Sequence, residues 1–172
     1  MSKLYMMVGL PGSGKSTWVR QQADIESTFD NLTEFCYSTD NIITDLAEEY
    51  GMTYNQAFPM LIEFATKVND EYLFTLLKKS DTYTIYWDQT NLTRNTRRKK
   101  LNRFPGHYEK HCVYFPVDTN NPDWYTRLNG RPDKTIPENV LNSMIATLEV
   151  PTLDEGFDSI ININTFDGWD IK

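Results

Sequence analysis

GLPGSGKST, residues Gly9 to Thr17, is the stretch on which the reading of this chain turns. Gly9, four further residues, then Gly14-Lys15-Ser16 satisfy the spacing G-x-x-x-x-G-K-[ST]. Each position has a physical reason. Gly9, Gly12 and Gly14 allow backbone turns that a side chain would block, so amide N–H groups can face phosphate oxygens. A helix starting at Lys15 adds its positive end. Lys15 reaches the outer phosphates, and the Ser16 hydroxyl suits a magnesium ion. Gly9, Gly12, Ser13, Gly14, Lys15, Ser16 and Thr17 are therefore expected to cradle ATP.

The context fits that loop. KLYMMV, Lys3–Val8, is a short apolar run and reads as a buried strand. Further strands are expected at Glu34–Ser38, Thr82–Asp88, His111–Val117 and Ser159–Asn164. Between them fall helices at Lys15–Gln22, Asn41–Tyr50, Tyr54–Lys79, Arg94–Phe104, Pro122–Gly130 and Pro137–Glu149. Phe58, Leu61, Ala65, Val68, Tyr72 and Leu76 recur at three- and four-residue steps in the longest of these, with Pro59 marking the start of its regular part. Strand and helix alternate throughout. The expected fold is α/β: one domain over residues 1–172, a mostly parallel sheet of about five strands, and helices on both faces. A lid is expected over about 119–136 and a tail over 165–172.

A chain of 172 residues is long enough for one sizeable core. Its 40% hydrophobic and 24% charged residues are those of an ordinary globular protein. No run approaches the roughly 18 apolar residues of a membrane span. Leu4–Leu10 is too short for a signal peptide and leads straight into the glycines, so a cytoplasmic protein is expected. Cys36 and Cys112 sit in strand-like runs and read as buried reduced thiols. His107 and His111 lack metal-pair spacing. A net charge of -7 disfavours broad coating of nucleic acid, yet Arg94 to Arg103, RNTRRKKLNR, carries six basic residues and no acid.

Ligands of parallel sheets bind beyond the carboxyl ends of the strands. Asp40 follows the second strand there and Asp88 the third. A carboxylate beside an attacking hydroxyl orients it and takes its proton, the role expected of Asp40; the alternative is a helix N-cap. Asp88 suits the magnesium shell together with Ser16, or positions an acceptor. Thr90 and Asn91 either bond within the site or cap the basic helix. Arg127 and Arg131, four residues apart, would share one helical face and close over the phosphates.

Four segments in order, GLPGSGKSTW, STDN, DQTNLTRNTRR and RLNGRPDKTIP, resemble the phage and bacterial 5′-hydroxyl polynucleotide kinases among the small P-loop phosphotransferases. The resemblance covers most of the chain. It implies ATP and Mg2+ as cofactors and a nucleic acid 5′-hydroxyl end as acceptor. It puts Asp40 on the general base, Lys15 and Ser16 on the phosphate and magnesium contacts, and Arg127 and Arg131 on the lid arginines. Thr90, Asn91, Arg94, Arg97 and Arg98 are then expected against the acceptor strand. The family commonly carries an arginine three residues after the base; this chain has Ile43. Ile43 and the acidic balance favour a second reading, a kinase of a nucleoside, sugar or nucleotide-sugar. A third is a non-catalytic ATP-binding switch.

Overall fold

Residues 1–22, 33–131 and 134–166 are described by the computed structural model. Residues 132–133 of the expected lid and 167–172 of the expected tail lie outside the described residues. Strand β1 (Lys3–Gly9) lies mid-sheet, pairing in parallel with β3 (Thr84–Trp87) on one side and β4 (Glu109–Phe115) on the other. β2 (Glu34–Tyr37) flanks β3, and β5 (Ser159–Asn162) flanks β4. The order is β2-β3-β1-β4-β5, parallel throughout.

Both sheet faces are covered, which is why β1 is apolar at nearly every position. Leu4, Met6 and Val8 face a core shared with Leu73 and Leu76 of α3 (Tyr54–Leu77) and Leu101 of α4 (Arg94–Leu101). Met7 faces the other side, with Trp18 and Val19 of α1 (Lys15–Gln22). The expected α/β fold with helices on both faces is what forms. Cys36 and Cys112 are buried free thiols. The imidazole of His111 meets the Ser159 hydroxyl and stacks on Tyr5. No helix among the described residues is long and apolar enough to cross a membrane.

Helix α2 (Thr39–Glu49) lies on α3, joining Ile42, Ile43 and Ala47 to Ala57 and Ala65. Ile43 is fully buried there; a side chain of that kind contributes on the order of 1.5–3 kcal/mol. α3 begins at Tyr54, five residues before Pro59, because Thr53 and Gln56 form a reciprocal capping box that closes the first turn. Pro59 is thus inside the helix and does not mark its start. Helices α5 (Pro122–Asn129) and α6 (Glu138–Thr147) bring Trp124, Leu128 and Leu141 against Leu10 of the glycine loop. The Trp124 indole N–H donates to the Pro11 carbonyl at 2.8 Å and fixes α5 beside that loop. A single 3-10 turn, Leu153–Glu155, precedes β5.

Candidate active site

The glycine loop leaves β1 at the carboxyl edge of the sheet and enters α1 at Lys15. Gly14 has φ +97, and a Cβ there would stand 2.9 Å from Thr165 Cγ2. The Thr165 hydroxyl donates to the Ser13 carbonyl at 3.0 Å, so residues beyond β5 close one side of the loop. The Lys15 ammonium donates to the Leu10 carbonyl at 2.7 Å. Burial pulls its pKa down to about 8, against the opposing pull of the Asp88 and Asp40 charges. Asp88 stands just past β3, almost fully buried. Burial raises its carboxyl pKa, while the hydrogen bond with the Ser16 side chain and the Lys15 charge resist that rise.

These residues fit a nucleoside triphosphate with magnesium. Loop amides and the start of α1 offer donors to phosphate. Among the described residues, Arg131 Nη2 is one of the two buried side-chain nitrogen or oxygen atoms without a hydrogen-bond partner, and an anion would satisfy it. Ser16 and Asp88 supply a hydroxyl and one carboxylate. That is a normal protein share for Mg2+, which keeps waters and takes its other ligands from phosphates. No cluster of three or more metal-ligating side chains occurs among the described residues, so phosphate oxygens would have to complete the shell.

Asp40 faces this loop from the first turn of α2. It is not the N-cap. Ser38 is, its hydroxyl accepting from the Asn41 amide at 3.2 Å. The Asp40 carboxylate is left for other partners. Tyr54 Oη donates to Oδ1 at 2.6 Å, and the Lys134 ammonium donates to Oδ2. Burial alone would raise the Asp40 pKa, but the Lys134 charge and the hydrogen bonds from Lys134 and Tyr54 outweigh it and hold it low. The ammonium of Lys134 also lies 4.0 Å from the Tyr54 ring centroid. Neither Tyr54 nor Lys134 was expected at the site. The only local signal for Lys134 is its place just after the lid arginines.

A family model described as an AAA domain matches residues 4–151. The chain belongs to that family. Among solved structures it is similar to a candidate kinase from Chloroflexus aurantiacus J-10-fl, with a TM-score of 0.67, 13% identity, and 99% of this chain and 89% of that one covered. It is similar to a fungal RNA kinase, at 0.53 and 15%, covering 94% of this chain and 74% of that one. It is also similar to shikimate kinase from Acinetobacter baumannii, at 0.50 and 18%, covering 95% and 85%. At such identities the likeness establishes the P-loop kinase fold.

The other expected site residues of this AAA domain divide. Arg127 and Arg131 do not share a helical face, because α5 ends at Asn129 and Arg131 lies beyond its Gly130 cap. Arg127 donates to Thr165 Oγ1 at 3.0 Å and to its carbonyl at 2.9 Å, with its guanidinium over the Phe166 ring. In this arrangement it ties α5 to the segment after β5. Arg131 is the one that faces Asp40 and Lys15, and burial lowers its pKa. The Thr90 carbonyl accepts from the Gly9 amide. Asn91 is buried at φ 48, its amide held by the Met7 carbonyl at 2.7 Å. Both therefore brace the loop backbone, and Thr93 is the cap of α4.

The basic helix is largely spoken for. Arg97 is fully buried, against expectation. It forms two 2.7 Å bonds to the buried Glu155 carboxylate and donates to the carbonyls of Asn91, Leu92 and Glu149. An acceptor strand cannot reach it there. Arg94 binds Asp154 and Thr152. Lys100 donates to Gln89 and Asn91 at 2.6 Å, and Gln89 in turn donates to Thr39 beside Asp40. Arg98 remains exposed, with Lys99 next to it.

Proposed function

We propose that this chain is a kinase that uses ATP and Mg2+ to phosphorylate the 5′-hydroxyl of a polynucleotide. The observation that carries a kinase reading is the meeting of Lys15, Asp88 and Asp40 at one sheet edge, close enough that each carboxylate acts on the lysine's protonation. Asp40 accepts the proton of the attacking hydroxyl. Lys15 and Arg131 hold the phosphate oxygens and offset charge as the phosphoryl group moves. Ser16 and Asp88 would hold magnesium, which would add to the neutralisation of that charge. The choice of a 5′-hydroxyl acceptor is supported by the ordered motifs from Gly9 to Pro137 and by the exposed Arg98 and Lys99.

A small alcohol as acceptor is favoured by one observation. Arg94 and Arg97 are committed to Asp154 and Glu155, which leaves less positive surface for a strand than the sequence offered. Purified protein incubated with labelled ATP separates the readings. Label should pass to a 5′-hydroxyl oligonucleotide. Label passing only to a nucleoside or sugar establishes the second reading. ATP binding with no transfer to any alcohol defeats both and leaves a nucleotide-dependent switch.

A further inference from the structure

We propose that Lys134 is an exchangeable cap on Asp40 that keeps the base from activating water until an acceptor arrives, with Tyr54 as the fixed support; this rests on Asp40 being the acceptor base. Both carboxylate oxygens are taken, Oδ1 by Tyr54 and Oδ2 by Lys134. The two partners are held differently. Tyr54 is the first residue of α3, its backbone locked by the Thr53–Gln56 capping box and its ring packed beside the α2–α3 core. It has little freedom to leave. Lys134 is on the connection between α5 and α6, and among the described residues its ammonium meets the Asp40 carboxylate and the Tyr54 ring face. A lysine side chain on four methylenes swings readily, so Lys134 is the partner that yields.

Among the described residues, the other charges facing Asp40 are Lys15 of α1, Asp88 after β3, and Arg131 after α5. None of them is recorded bonding to its carboxylate. Displacing Lys134 therefore opens one oxygen, Oδ2. The incoming hydroxyl donates to it; the O–H proton passes to the carboxylate, and the oxygen's electron pair forms the bond to the γ-phosphorus. The bond from that phosphorus to the bridging oxygen breaks, and ADP departs with its electrons. A carboxylate still capped by an ammonium is a poorer base towards a stray water.

The test is ATP hydrolysis without acceptor, measured beside transfer to a 5′-hydroxyl oligonucleotide. Lys134→Met should raise acceptor-free hydrolysis by about tenfold. Lys134→Arg, which keeps the charge, should restore low hydrolysis. Adding Asp40→Asn to Lys134→Met should abolish the rise. Melting temperature and ATP affinity, checked on each variant, should match the parent. Flat hydrolysis in Lys134→Met, or a rise that survives Asp40→Asn, overturns the cap even where oligonucleotide transfer is normal. If hydrolysis follows the expected pattern while no oligonucleotide is phosphorylated, the cap stands and the polynucleotide acceptor falls.

Discussion

Tyr54 donates its phenolic hydrogen to Asp40 Oδ1 at 2.6 Å, although the two residues open different helices. The bond sets the direction of the carboxylate relative to the glycine loop. With Ser38 serving as the helix cap, the Asp40 carboxylate is not used up in capping α2. Asp40→Asn should therefore reduce phosphoryl transfer by about 10²–10⁴-fold and leave ATP affinity close to the parent. Single-turnover transfer and equilibrium nucleotide binding measure the two halves. Full activity in the variant would remove Asp40 from the mechanism.

Lys15 predicts a pH signature for nucleotide binding. In the free protein its pKa is pulled down to about 8, chiefly by burial. Triphosphate beside the ammonium favours the charged form, so binding raises that pKa. Above pH 8 the free lysine is increasingly neutral and binding must take up a proton. ATP affinity should therefore weaken as pH rises from 7 to above 8. Calorimetry at high pH in two buffers of different ionisation enthalpy should report proton uptake, absent in Lys15→Met.

Arg97 and Glu155 predict a stability effect remote from catalysis. Removing the guanidinium strands a buried carboxylate. Arg97→Met should cost about 3–5 kcal/mol in urea unfolding, whereas replacing both partners with apolar residues should cost clearly less. If Arg97 instead served an acceptor strand, the single change would harm oligonucleotide use without harming stability.

Two glycines with positive φ should behave differently. Gly51, at φ +63, has nothing within 4 Å of an added Cβ, so Gly51→Ala should cost only the left-handed backbone strain of roughly 1–2 kcal/mol and spare ATP binding. Gly14→Ala, at φ +97, adds a collision with Thr165 in the loop itself. It should lose ATP binding. Thermal melts and nucleotide titrations of the two variants, side by side, test the contrast.

Exposed Arg98 and Lys99 are the charges left for a strand. Reversing both to Glu should weaken oligonucleotide phosphorylation and flatten its dependence on salt, while acceptor-free ATP hydrolysis stays unchanged. Equal loss of both activities would make these side chains structural.

What could be read in the chain was what is local. The glycine spacing, the apolar strands and the two acids after β2 and β3 all announce themselves within a few residues, and parallel topology then brings them to one edge. What could not be read depended on distant partners. RNTRRKKLNR looks like a solvated basic face, yet Arg97 meets Glu155, 58 positions later, and turns inward. Spacing put Arg127 and Arg131 together, but helix α5 stops between them. Asp40 reads from the sequence as a base or a helix cap, with no sign of Tyr54 and Lys134, which reach its two oxygens from separate segments. A single sequence carries no trace of such meetings.

Thr165 bonds to Ser13 across 152 residues of chain and is itself gripped by Arg127. The loop is synthesised before its wall, which lies 152 residues further along the chain. Closing so long a loop is entropically slow and comes late in folding. A nascent chain shorter than residue 165 would carry the whole glycine motif without its finished shape. Competence to hold nucleotide should therefore appear abruptly, when β5 and the threonine beyond it have docked.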